Sequence, residues 1–120
     1  MVAGLGDSGL LTAVGLARHA DSSVVGISAK PGLLSGQELG MRLARPDDWS
    51  RNYWIEFERF QGLDRVRRVQ GVLTGLDLTA RTVTVTRDGG PALVEPFDAL
   101  IIATGVTNGF WRRPMLQSAD

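Results

Sequence analysis

The pattern of apolar and polar positions changes period several times along the chain. It opens on a short apolar stub, Met1-Val2-Ala3, that runs straight into glycines at positions 4, 6 and 9. From Leu10 to Arg18, apolar residues at Leu10, Ala13, Val14 and Ala17 recur at helical spacing, and Ala20-Asp21-Ser22-Ser23 closes the segment. Val24-Val25-Gly26-Ile27-Ser28 is a continuous apolar run ended by Lys30-Pro31-Gly32, which predicts a buried strand. Strand, glycine turn, helix and strand therefore follow one another between Met1 and Ser28.

The middle of the chain predicts two short helices. Ser35-Gly36-Gln37-Glu38 caps a first, reaching Ala44, and Arg45-Pro46-Asp47-Asp48 breaks it. Asp48 or Ser50 caps a second, running through Trp54, Phe57 and Phe60. Aromatic residues concentrate between Trp49 and Phe60, and a helix packing them on the core is the favoured reading over a ligand surface. From Arg65 onward the period becomes two. Thr82-Val83-Thr84-Val85-Thr86 alternates without a break, Asp88-Gly89-Gly90 makes a hairpin turn, and Leu93-Val94-Glu95 returns. Phe97 to Ala103 reads as a fully buried strand, ended by Thr104-Gly105.

Composition narrows the function classes. The 120 residues carry thirteen basic and thirteen acidic side chains, so no net charge draws the chain to nucleic acid or anionic lipid. Cysteine is absent and His19 is the single histidine, which excludes thiol chemistry and disfavours a histidine-based metal site. No apolar run approaches the roughly 18 residues that span a bilayer. Leu10–Leu16 lacks the basic flank of a signal peptide. The expected location is the cytoplasm, with peripheral membrane association allowed. Glycine, at 15 residues, is the outlier.

Three of those glycines form Gly4-Leu5-Gly6-Asp7-Ser8-Gly9, a GxGxxG sequence. It sits between an apolar stub and a helical pattern, with a buried strand following, which is the context a dinucleotide loop requires. Gly4 permits the tight turn, Gly6 lets backbone amides approach a pyrophosphate, and Gly9 lets the helix pack on the strand. The amides near Asp7 and Ser8 then face the phosphates from the helix N-terminus. Asp7 itself repels phosphate unless it points away or caps the helix. The second strand ends Ser28-Ala29-Lys30, without the usual ribose carboxylate. Ser28 offers a hydroxyl to a ribose. Lys30 either approaches a phosphate, lies along an adenine, or is a solvated strand end.

With Phe97-Asp98-Ala99-Leu100-Ile101-Ile102-Ala103-Thr104-Gly105 near the end and the hairpin between, the chain resembles the two-dinucleotide-binding-domain flavoproteins, the pyridine nucleotide-disulfide oxidoreductases in the broad sense. The resemblance covers most of Val2 to Gly105, and among the branches it looks most like type II NADH dehydrogenases and apoptosis-inducing-factor-like reductases. It implies an α/β fold: a Rossmann-like FAD/NAD(P)-binding domain with a parallel sheet, helices and an antiparallel β-meander over about 71–96, in three ββα layers. It implies FAD as cofactor and NAD(P)H as co-substrate, with hydride passing to FAD and electrons to a quinone or other acceptor. By position, Gly4, Gly6, Gly9 and the amides of Asp7 and Ser8 would hold the FAD pyrophosphate. Ser28 and Lys30 would lie at the adenosine, Val72 would meet the adenine through its main chain, and Ala103-Thr104-Gly105 would approach the flavin side. No acid, base or nucleophile is implied, since hydride chemistry belongs to the cofactor.

Family members are considerably longer, with a second glycine-rich domain and a C-terminal segment that completes the flavin site. Only Met1-Val2-Ala3 precede Gly4 here, where about five strand residues are usual. The expectation is therefore one partial domain over 1–120, a fragment with little NAD(P)H oxidation of its own, exposing apolar surface around Phe110, Trp111 and Met115. The alternative is a stand-alone, non-catalytic NAD(P)-binding Rossmann module.

Overall fold

The structure is a computed structural model that describes residues 1–19, 21–34 and 43–105. Its centre is a parallel sheet in the order β5-β2-β1-β9, formed by β1 (Val2–Ala3), β2 (Val24–Ser28), β5 (Val66–Gln70) and β9 (Ile101–Ile102). Val2 pairs with Gly26 on one side and Ile101 on the other, and Val24 to Ser28 pair with Val66 to Gln70. The two residues of β1 are fully buried between their neighbours. Gly4 N–H donates to the Ile27 carbonyl at 2.8 Å, and Ala103 N–H donates to the Ala3 carbonyl at 2.7 Å, so bonding on both sides continues past the strand.

Helix α1 (Asp7–Ala17) covers one face of this sheet. It starts three residues before the apolar period does, because Asp7 and Ser8 face solvent and only from Gly9 onward does the helix meet the sheet. Leu10, Ala13 and Ala17 pack with Leu5, Val24, Val66, Phe57 and Leu63. The other face carries a β-meander of β6 (Val72–Asp77), β7 (Thr82–Thr86) and β8 (Leu93–Pro96), in antiparallel order β6-β7-β8. Val83 and Val85 are fully buried there against Ile27 and Val69. The alternation read in TVTVT is the physical cause: valines turn inward and threonines outward, and Thr74 and Thr86 share a hydroxyl–hydroxyl bond at 2.9 Å. Because β2 is covered on both faces, Val24 and Ile27 serve different cores, and the strand reads as an unbroken apolar run. The result is the expected α/β, three-layer ββα architecture.

Two expectations are corrected. The second helix, α2 (Pro46–Asn52), begins before Asp48 and stops short of the aromatic residues it was expected to carry. Trp54–Glu56 is instead strand β4, antiparallel to β3 (Gly32–Leu34). Gly32 makes this pairing close: a Cβ there would lie 2.8 Å from Trp54 Cζ2. Phe57 follows in a 3-10 turn, its N–H donating to the Pro31 carbonyl at 3.0 Å, and its ring is buried against the α1 layer. Trp49 and Phe57 are thus core residues, but on different elements. Second, Ile101 and Ile102 are 39% and 63% exposed, not buried. Among the described residues β9 is an outer strand, bonded only to β1, and neither core includes its side chains. The expected helix over Ser35–Ala44 falls mostly, and the Phe110, Trp111 and Met115 cluster wholly, outside the described residues.

One ion pair joins sheet and meander. The Arg67 guanidinium on β5 donates to both carboxylate oxygens of Glu95 on β8, at 3.2 and 2.5 Å. This hydrogen bond holds the Glu95 carboxyl below its ordinary value, and its reciprocal effect raises Arg67. A depressed carboxylate stabilises the fold above the unfolded-state value, near 4.3 for Glu, and that stabilisation is lost as pH falls through the folded value. The pair is largely solvent-accessible on the arginine side, so its worth is below about 1 kcal/mol.

Three substitutions test this packing. Val85→Ala, which opens a void between meander and sheet, should destabilise by about 2 kcal/mol and lower Tm by roughly 10 °C. Val94→Thr, at a site 65% exposed, should stay within about 0.5 kcal/mol in the same denaturation series. Glu95→Gln should lower stability modestly at neutral pH, with the difference from the parent shrinking towards zero when the chain is unfolded below the carboxylate range or in high salt.

Candidate functional site

All four strands of the parallel sheet run the same way, so Gly4, Ser28, Gln70 and Ala103 mark one edge, the C-terminal edge. From β1 the chain passes outward to β2 and β5, then returns to the other side of β1 at β9. The reversal lies between β1 and β9, and in open α/β sheets that is where a crevice opens for ligands. Gly4, Gly9, Ala103 and Thr104 meet there.

The contacts are close enough to fix residue type. Gly4 has φ +95, and a Cβ on it would lie 2.6 Å from the Ala103 carbonyl carbon and 2.7 Å from Thr104 Cα. On Gly9 a Cβ would overlap the Gly4 carbonyl oxygen and come within 3.2 Å of Ala103 Cβ. Both glycines are therefore demanded by the fold. Gly6 is different. It is the N-cap of α1 with φ −72, and, its chain neighbours aside, a Cβ on it would meet no atom of the described residues within 4 Å. Among the described residues no packing contact requires glycine at this position.

Among the described residues, none gives the first turn of α1 a side-chain cap hydrogen bond. The amides of Asp7 and Ser8 lie in that turn, where a helix has N–H groups without intrahelical acceptors. Asp7 is exposed and does not cap the helix. Thr12 Oγ1 donates back to the Ser8 carbonyl at 2.8 Å, within the helix. Thr104 and Gly105 are exposed beyond β9, Gly105 with φ +87.

The remaining predicted residues lie further along the edge. Ser28 is half-buried, and its hydroxyl donates to the Lys30 carbonyl at 2.8 Å, closing its own turn. Lys30 is also half-buried. Val72 is 54% exposed and lines an open cleft of about 540 Å³ at the ends of β2 and β5. That cleft also contains Ala29, Gln70, Arg68 and Arg87, which sequence reasoning did not single out. Arg87 lies before a hairpin turn, and no local pattern ties it to the end of β2; only the meander's docking does. A second cavity, of about 590 Å³, lies at the opposite edge beside Met1, Ser23 and Asp98. It contains none of the predicted residues and is at the strands' N-terminal ends. There the Met1 amine donates to the Ala99 carbonyl at 2.8 Å, and burial lowers its pKa, partly opposed by Asp98. Among the described residues no cluster of acidic or histidine side chains could hold a metal ion, and no helix is long and apolar enough to cross a membrane.

No family model matches the chain, and no curated protein matches it. Eighteen solved chains match by structure. One of them is an NAD-dependent persulfide reductase from A. fulgidus, with a TM-score of 0.55 and 22% identity over 87% of this chain. The chain spans about a fifth of that protein's length, 20%. The likeness is one of fold, and it places the α/β layers described above within an architecture that a nicotinamide-dependent enzyme also uses.

Proposed function

We propose that this chain is the dinucleotide-binding portion of an NAD(P)H-dependent flavoprotein oxidoreductase, and that the nucleotide it holds is FAD. One observation carries the reading: of the three motif glycines, Gly4 and Gly9 are required by packing, whereas Gly6 borders open space at an uncapped helix start. A pyrophosphate is the group that fits such a place, because the free N–H groups and the helix dipole both favour an anion. The crevice between β1 and β9, beside Ala103 and Thr104, would receive the rest of the ligand towards its flavin end. The chemistry such a cofactor supplies is acceptance of hydride from NAD(P)H and delivery of electrons to an acceptor, a quinone by resemblance. The chain's own residues supply position and electrostatics.

A second reading, a non-catalytic NAD(P)-binding module, is favoured by one feature. The end of β2 has Lys30 and no carboxylate, so a 2′-phosphorylated ribose meets no repulsion there. Thermal shifts with FAD, NADP and NAD separate the two, since a ligand at 100 times its Kd stabilises by about 2.7 kcal/mol. FAD giving the largest shift supports the first reading; NADP giving it, with none from FAD, replaces it by the second.

The glycines supply the mutational test. Gly6→Val should abolish FAD binding, read by quenching of flavin fluorescence, at a cost to the fold of no more than about 1 kcal/mol from the altered cap. Gly9→Ala should lose several times that stability, because the Gly4 carbonyl occupies the space of the new methyl. Undiminished FAD affinity in Gly6→Val would refute the site.

A further inference from the structure

The glycine loop carries a negative charge of its own. Asp7 is the first residue of α1 and is exposed. Leu10 N–H donates to the Gly6 carbonyl at 2.8 Å and opens the helical ladder. The amides of Asp7, Ser8 and Gly9 precede it, and amides so placed have no intrahelical acceptor. Among the described residues the Asp7 side chain caps none of them, and no cation forms an ion pair with it.

Covalent geometry bounds the distance between this carboxylate and an anion on the loop. The carboxylate carbon lies two bonds beyond Cα, so it stays within about 4 Å of its own amide nitrogen in any rotamer. An oxygen that accepts from Asp7 N–H at about 2.9 Å is then within about 7 Å of it. At that separation in water, each unit of ligand charge is repelled enough to weaken binding about threefold at low salt.

The size of that penalty depends on how the phosphates end. In a dinucleotide both phosphates are esterified to sugars, and each carries a single negative charge. A terminal phosphate carries about 1.5–2 charges at pH 7. A nucleoside diphosphate therefore brings more charge to the same amides than a dinucleotide does. We propose that the Asp7 carboxylate is a specificity-determining group that repels terminal phosphates and so reserves the loop for pyrophosphates esterified at both ends. The proposal rests on the dinucleotide reading of the glycine loop, and it gives a part to the Asp7 side chain where that reading uses only the amide. The same carboxylate complements the positive end of the helix dipole in the ligand-free chain. Its effects on stability and on ligand affinity therefore have opposite signs.

The test compares ADP-ribose with ADP, which differ in whether the second phosphate is capped. The parent chain should bind ADP-ribose more tightly. At low ionic strength Asp7→Asn should tighten ADP-ribose about fivefold and ADP about tenfold, narrowing the preference about twofold, and Asp7→Lys should narrow it further. In about 0.5 M salt the three chains should converge. Ligand-free Asp7→Asn should melt about 2 °C below the parent. A parent chain that prefers ADP overturns the proposal. So does Asp7→Asn with unchanged or weakened affinity for both ligands, or with equal tightening of the two. A difference between parent and Asp7→Asn that persists undiminished in high salt overturns it as well, because its origin is then steric. All these outcomes leave the nucleotide reading standing. Failure of the parent chain to bind FAD, ADP-ribose and ADP alike overturns that reading, and the proposal with it.

Discussion

The structure depends on one close approach. The first turn of α1 sits on the end of β1 with no side chain between them, so that Gly9 rests on the Gly4 carbonyl and both lie against Ala103. β1 contributes only Val2 and Ala3 to the sheet, yet it is the strand that joins β2 to β9. A strand that short is held by its context: hydrogen bonds on both sides, continued by Gly4 and Ala103, and the helix seated above it. If α1 stood off by the width of a methyl group, the β1–β9 crevice would lose its wall.

The same approach sets Gly6 apart from the other two motif glycines. Packing uses up the freedom of Gly4 and Gly9 and leaves Gly6 unused. An uncapped helix start beside empty space is a place where the protein's own hydrogen bonding is incomplete. Its partner has to come from water or from an anion. The first-turn donors of α1 lie at the topological reversal of the sheet, where open α/β sheets form a crevice.

The meander plays two parts. Val83 and Val85 close the second face of the sheet, which allows β2 to be apolar throughout. The Arg67–Glu95 pair then ties the meander's last strand to the outer strand of the sheet. Its energetic contribution is small, and it holds β8 against β5.

The periodic elements were legible in the sequence because their local pattern and their burial have the same cause. The apolar run at Val24–Ile27 fits a strand covered on both faces, and the alternation at Thr82–Thr86 fits one covered on a single face. The GxGxxG loop was legible because glycine there answers a steric demand between neighbours in sequence. Three things required the tertiary structure. Trp54 to Phe60 was read as helix because aromatic spacing over a few residues fits several periods; pairing with Gly32, some twenty residues earlier, decided for a strand and a 3-10 turn. The exposure of Ile101 and Ile102 depends on which elements reach β9, and no local pattern records that. Arg87 lines the cleft at the end of β2 only through the docking of one sheet on another, so that placement is a property of the packed molecule. By itself the sequence determined the layers and the loop, through contacts a few residues apart. The tertiary structure decided which distant side chains share the cleft, because those contacts exist only once both faces of the sheet are covered.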